Sequence, residues 1–467
     1  MNMIRRTNIP ICFLVYCCFL IATTVHSFHI HQGKTGKMTQ SAATSSSLAW
    51  SCTAFFDEQN SPTISTFPKM KEISSSDTYK QDDMEYNLSS PREWMEAIEA
   101  KEDISGAYTV IRCDLRPTRA DANLNKSEDD HLVWGEEFHL ERIASSYELM
   151  VGSGGEGKNN QELQNETSCA IVQSKLIIDT LIQETKKHLL LSFECDSQRE
   201  TSTTADIIKV VMITLLWQPL PDRSGGILVR GHAFSTNAIS DPYQYDPTPT
   251  NAAISACRRG GDQDANYSPQ LPSRFDNQPL AKLSSWCSIR RPLESQFKTG
   301  DTGEVILTRK GKTQRSPSEQ SDHDEMSIES DVANLELLEG LTSNLFVVYK
   351  DGSLRTASTN KYDDPLVLNG YARHLVLEAA ERCGLKVEIS TEEKAIKVQD
   401  GIDGLWAEAF FTSSIRLIIP IGKILLPQQP SPKLLWERAG NLPTSQKRVW
   451  DIIYRDIIHH QYGQNSV

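Results

Sequence analysis

The stretch ELLEGLTSNLFVVYKDGSLRTAS, residues 336–358, holds the decision about the whole chain. Residues 345–349 are apolar enough for a buried strand, and Lys350-Asp351-Gly352 has the composition of a hairpin turn that leads into a second strand. Just upstream stands Glu339, beside Gly340, with nothing nearby in sequence to neutralise it. Either Glu339-Gly340 is a solvated loop tip, or the carboxylate is kept at the strand's start for a counter-charge from elsewhere. The remainder of the chain has to discriminate between these readings.

With 467 residues, two domains of ordinary size, a cleft between them and additional tails are all possible. The formal net charge of -13, and the lack of a Lys/Arg stripe with interleaved aromatics, argue against nucleic acid as a partner. Residues 1–27 carry Arg5-Arg6, an apolar run from Ile9 to Val25 and the small Ser27, which is the pattern of a signal peptide. Residues 28–90 start with Phe28 and a Ser/Thr-rich, acid-poor stretch through Trp50, then continue without sustained period; they are expected to be transit-like and disordered. This leader resembles the bipartite plastid presequences of algae with complex plastids. A plastid is therefore the expected location, with the secretory pathway as the alternative that four Asn-x-Ser/Thr sequons favour. Of the cysteines, Cys12, Cys17 and Cys18 lie in the leader and the others are scattered without a CxxC pair. That spacing fits reduced thiols and gives no reason to expect a metal site.

Residues 91–233 are expected to form a small α+β domain. Its parts are a strand at 106–115, an amphipathic helix at 136–151, a loop at 152–161, a helix at 174–184 and strands at 205–217 and 225–234. Residues 234–280, rich in Pro, Asn and Asp, read as an interdomain connection. A larger domain is expected over 281–467, with a low-complexity insertion at 310–331 between strands 303–309 and 333–340. Loop-closure entropy rises slowly with length, so such an insertion need not disturb the strands it joins. Asn369 is expected to cap a helix that reaches Cys383 and stops at Gly384, followed by a strand at 387–389. Residues 405–424 read as a strand, a turn at 412–414 and a second strand.

Four pieces occur in order: HLER (139–142), a lysine upstream of EGLTSN (339–344), LNGYAR (368–373) and EAFFTSS (408–414). In this order they resemble the class IV, fold-type IV family of pyridoxal-phosphate enzymes, which includes branched-chain and D-amino-acid aminotransferases and aminodeoxychorismate lyase. The resemblance runs from about Ser105 to Ile424. It implies a two-domain α+β fold of the D-amino-acid aminotransferase type, with pyridoxal 5'-phosphate in the interdomain cleft, a small amino-acid or amino-acid-like substrate, and a homodimer.

The chemistry explains these residue types. A pyridine ring withdraws electrons effectively only while its nitrogen stays protonated, and a carboxylate held against it keeps the proton there. Glu339 matches that family role, which answers the question about its counter-charge. Arg142 matches the arginine that holds the phosphate. Gly370, Tyr371 and Ala372 open a helix whose free amides favour an anion. Ser413 and Ser414 are similar to the residues that close the phosphate cup, with Ser414 at a position usually held by threonine. For the lysine, Lys282, Lys298, Lys310 and Lys312 are candidates. Lys282 opens KLSSWCSIRRPLE, similar to the K-x-x-x-W-x-x-x-R-x-x-L-E stretch of a plant and fungal subgroup, and is the choice. The expected activity is transamination. Alternatives are the lyase reaction of 4-aminobenzoate synthesis, and an inactive relative whose signature would be loss of a usable lysine.

Overall fold

The computed structural model describes residues 48–56, 62–63, 90–115, 131–152, 160–196, 209–220, 226–235, 245–258, 280–310, 333–360, 367–390, 393–426, 432–439 and 444–462. The signal-peptide reading of 1–27 and all but the first residue of the insertion at 310–331 lie outside the described residues.

The first sheet has six antiparallel strands: β1 (Leu48–Phe56), β2 (Pro62–Thr63), β3 (Ala107–Leu115), β4 (His131–Val133), β5 (Lys209–Pro219) and β6 (Ile227–Ser235), in the order β2-β1-β6-β5-β3-β4. Alternation along β3 divides its two faces. Ala107, Ile111, Cys113 and Leu115 join a core formed with α2 (Glu136–Gly152) and α3 (Asn160–Asp196). Tyr108 turns the other way, against α1 (Pro91–Glu102), where Trp94, Met95 and Ile98 are buried. Burying each such large side chain contributes about 1.5–3 kcal/mol, so both faces of this sheet are anchored.

Two expectations are corrected here. Residues 48–56, inside the stretch read as disordered, form a strand paired with β6 from Leu48↔Ser235 to Ala54↔Val229. β7 (Thr250–Arg258), inside the supposed connection, is a central strand of the second sheet. β7 was missed because Thr, Asn, Ser and Ala dominate there and give no alternating apolar signal, and 48–56 because its short apolar pattern stands alone beside long polar sequence. Ladder hydrogen bonds do not depend on that signal. The helix expected at 174–184 is also much longer, since α3 runs through it at both ends.

The second sheet has ten strands: β7, β8 (Thr302–Lys310), β9 (Leu335–Gly340), β10 (Asn344–Tyr349), β11 (Ser353–Thr356), β12 (Lys386–Ile389), β13 (Ile396–Lys397), β14 (Trp406–Ser413), β15 (Leu417–Leu426) and β16 (Lys433–Glu437). Six of them close a ring in the order β10-β14-β15-β7-β8-β9, and the closure from β9 back to β10 is the single pair Asn344↔Glu339. Inside lie Leu345, Val347, Ala409, Phe411, Ile254, Ile306 and Leu337. Outside, Phe346 and Phe410 stack at 5.2 Å, covered by α6 (Tyr371–Arg382) and α8 (Thr444–Tyr462). The period-2 pattern of 345–349 is thus used on both faces. The remaining helices are α4 (Trp286–Ile289), α5 (Arg291–Phe297) and α7 (Val398–Ile402).

Candidate active site

Glu339 is the penultimate residue of β9, and residues 341–343 make the turn into β10, so Glu339-Gly340 is not the solvated tip of the local reading. The side chain is buried at 7% exposure. Its Oε2 accepts from Leu368 N–H (3.2 Å) and lies 3.4 Å from Asn344 Nδ2, which also donates to Leu368 O (2.8 Å). The ring's closing pair therefore also fixes the carboxylate.

Lys282 is placed by its main chain. Tyr108 N–H donates to Lys282 O (2.9 Å), Lys282 N–H donates to Ser146 Oγ (3.1 Å), and Ser284 N–H donates to Gly106 O (2.8 Å). These bonds tie the lysine segment to β3 and α2, and its side chain lines a cavity of about 350 Å³ between the two sheets. The Nζ sits 4.9 Å from the centre of the Tyr108 ring. Burial lowers the amine from 10.5 to about 7, and the Arg142 and Arg290 guanidiniums push the same way. Of the other lysines considered, Lys298 stands 4.0 Å from both Glu294 and Glu304, and Lys312 lies outside the described residues.

The sign of this shift gives a testable pH dependence. A depressed lysine binds fewer protons in the folded state than in the unfolded chain between about pH 7 and its ordinary value. Stability of the full chain without added ligands is therefore expected to rise with pH across that window. Thermal unfolding of Lys282→Met, which lacks the group, should show a flatter profile there, whereas parallel profiles would remove the perturbed amine.

Arg142 is buried on α2 with no carboxylate paired to it among the described residues. Its Nη2 donates to Thr109 Oγ1 (2.6 Å) and His139 Nδ1 (3.0 Å), its Nη1 is 3.4 Å from Asn369 O, and its Nε has no acceptor. Because His139 Nδ1 accepts from Arg142, the Thr109 hydroxyl donates to it at 2.7 Å, and the imidazole proton resides on Nε2. Burial, and then Arg142 and Lys282, hold His139 well below its ordinary pKa, so it stays neutral. Burial also pushes Arg142 down to about 10. A buried guanidinium without a counter-ion is costly, and an incoming anion relieves that cost.

The anion-binding elements converge on it. α6 is capped one residue later than expected: its cap is Gly370, and Asn369 instead offers its carbonyl to Arg142. His374 N–H makes the first helical bond to Gly370 O, which leaves the N–H groups of Tyr371, Ala372 and Arg373 without helical acceptors. A Cβ at Gly370 would lie 2.3 Å from Asn344 Oδ1, so glycine is required for this close approach. Ser413 ends β14, and the turn is at 414–416; Ser413 Oγ accepts from Arg416 N–H at 3.2 Å. From the first domain, Arg112 Nη1 donates to Ile415 O at 2.5 Å and so braces this turn.

Arg142, Lys282, Glu339, Gly370, Ala372, Ser413 and Ser414 all line the one cavity. Tyr371 does not: its ring packs on Phe138 at 5.5 Å and His139 at 5.4 Å, leaving only its main chain for the site. Sequence reasoning missed Thr412, whose buried Oγ1 lacks a partner, along with Tyr108 and Arg290, which also line the cavity. Each lay inside or beside a motif that had been noticed. The facing that gives it a role depends on tertiary contacts.

No protein-family model matches the chain, and no curated protein matches it. Solved structures do. A branched-chain aminotransferase from Thermoproteus uzoniensis, with norvaline, is 15% identical over 78% of this chain and 89% of its own, at a TM-score of 0.42. A hypothetical aminotransferase from Mycobacterium tuberculosis in its PLP-bound form is 13% identical over 87% and 99%, at 0.43. A fold IV-transaminase from Curtobacterium pusillum is 15% identical over 87% and 98%, also at 0.43. At these identities and TM-scores, the chemistry of the cavity rests on its own side chains.

Proposed function

We propose that the protein is a pyridoxal-phosphate-dependent transaminase that acts on an amino acid. The observation that carries this reading is the meeting, in one cavity, of a perturbed amine, a buried guanidinium lacking a counter-anion and a buried carboxylate, from three distant parts of the chain. The donor set fits the cofactor. Arg142, the amides of 371–373 and the hydroxyls of Thr412, Ser413 and Ser414 are suited to a dianionic phosphate. Glu339 is suited to keep a proton on the ring nitrogen.

When bound, the cofactor supplies the electron sink that stabilises negative charge at the substrate's α-carbon. Lys282, neutral for a useful fraction of the time near pH 7, would be the residue that holds the cofactor covalently through Nζ. The same Nζ, once free, would accept and return the proton of the substrate's α-carbon. The presence of such a lysine in the cavity speaks against the inactive-relative alternative.

The test is to add pyridoxal phosphate to the full chain, reduce with borohydride and map the labelled peptide. Label on Lys282 is expected; label on Lys298, or none, defeats the proposal. Product analysis then separates the chemistries: a 2-oxo acid that appears only with an acceptor 2-oxo acid indicates transamination, and pyruvate released from aminodeoxychorismate alone indicates the lyase. Arg142→Ala is expected to weaken cofactor retention on dialysis by about 10–100-fold, from the loss of a charged hydrogen-bonding group worth about 1.5–3 kcal/mol. Unchanged retention would place the phosphate elsewhere.

A further inference from the structure

Arg142 leaves a second buried-side guanidinium in the same cavity unexplained. Arg290 sits at the junction of α4 and α5 and lines the cavity with its side chain only 12% exposed. Its Nε lies 3.3 Å from Glu294 Oε1 yet makes no hydrogen bond, and no described residue accepts from its two Nη groups. Arg92, which lines the cavity as well, differs in this respect. Its Nε donates to Glu96 Oε1 (3.0 Å), its Nη1 to Glu294 Oε2 (2.5 Å) and its Nη2 to Cys287 O (3.2 Å). Glu294 is thus engaged by Arg92, and Glu96 is further engaged by Arg291. A further acid of α1, Glu99, accepts from the Ser284 hydroxyl at 2.5 Å. Both carboxylates beside Arg290 and Arg92 are thus shared among several cations, and the donors without a described acceptor are those of Arg290.

We propose that Arg290 holds the carboxylate of the amino-acid substrate, next to Lys282 and distinct from the phosphate position at Arg142. This rests on the reading of Lys282 as the reacting amine. The guanidinium fork matches a carboxylate with two parallel N–H···O bonds, which a point charge would not orient. Its place in the chain also suits the role. The short helix between Lys282 and Arg290 joins the two rigidly, so the group that reacts and the group that orients the substrate move as one unit.

The test uses the full chain without cofactor. Saturating inorganic phosphate occupies Arg142, and propionate serves as the carboxylate probe. The pH midpoint of Lys282 acylation is followed by peptide mapping. Its charged neighbours are Arg142, Arg290 and Glu339, and burial holds the adjacent Cys287 thiol in its neutral form, so a carboxylate seated on Arg290 cancels one unfavourable cation. In the wild type, propionate is expected to raise the midpoint by about one unit, tenfold in the protonation equilibrium. In Arg290→Met it should not move the midpoint. Thermal unfolding is measured in parallel, and Arg290→Gln replaces the Met variant should that one not fold. No displacement in the wild type, or the same displacement in the neutral variant, overturns the assignment. Because no cofactor is used, failure to bind pyridoxal phosphate would defeat the proposed function while leaving this result readable.

Discussion

Lys282→Ala is expected to lower turnover by about 10⁴-fold or more and to abolish the borohydride-trapped label. Nucleophilic attack and proton transfer are assigned to a single atom, Nζ, and general acid–base catalysis alone contributes about 10²–10⁴-fold. The protein should not lose stability as a result. The wild-type amine is held beside the Arg142 and Arg290 guanidiniums, in a position where its charged form is disfavoured. Alanine removes that conflict, so thermal unfolding near neutral pH is expected to stay level or rise. Pyridoxal phosphate should still bind reversibly, because Arg142 and the α6 amides are untouched. Lys282→Arg keeps a cation but not a usable nucleophile and should be equally inactive. Residual turnover above a few per cent in either variant would move the chemistry to another group.

The second large effect is expected from Glu339→Gln, which should leave the label on Lys282 in place while lowering turnover by about 10²–10³-fold, the scale seen when one charge-stabilising group is removed from a reacting site. The amide oxygen can still accept from Leu368 N–H, so the ring closure and the position of the side chain survive. What it cannot do is keep a proton on the ring nitrogen, since a neutral amide lacks the charge. Single-turnover rates measured by rapid mixing check this. Rates equal to wild type would return Glu339 to a purely structural role at the seam with Asn344.

How much of this was legible in the sequence varies with the element. The strand at 344–349 was readable because its alternation is satisfied twice, by the interior of the ring and by the cover of α6 and α8. α6 was readable because Val376, Ala379 and Ala380 recur at helical spacing and Gly384, at φ +74°, stops it. Its cap was misplaced by one residue: asparagine is the stronger cap by preference, but the main chain of Asn369 is drawn to Arg142. β7 was not readable, because Ala252, Ala253 and Ile254 give too short an apolar run, although its flanks are parallel partners far away in sequence. At the site, Arg142, Lys282, Glu339, Gly370, Ala372, Ser413 and Ser414, named from separate motifs, line one cavity. Tyr371 was named for its main-chain amide, which lacks a helical acceptor, while its ring faces α2. Arg290 was not singled out, because the sharing of Glu294 and Glu96 among neighbouring cations becomes visible only when α1 and α5 are brought together.

The single-pair seam between Glu339 and Asn344 also bears on how the molecule folds. β7 pairs in parallel with β15, from Thr250↔Ile421 onward, so the ring is held by partners very remote along the chain. Contacts of that kind form slowly, because the loop between them must be closed before they give any return. Within the first sheet, β1 and β3 likewise reach β6 and β5 across long stretches of chain, and only the β5–β6 hairpin joins near neighbours. During refolding from denaturant, strand signals from the β5–β6 hairpin are therefore expected to recover ahead of pyridoxal phosphate capture. Because Glu339 stands at the Asn344↔Glu339 pair that closes the ring, the time course of pyridoxal phosphate capture is expected to follow completion of the second sheet.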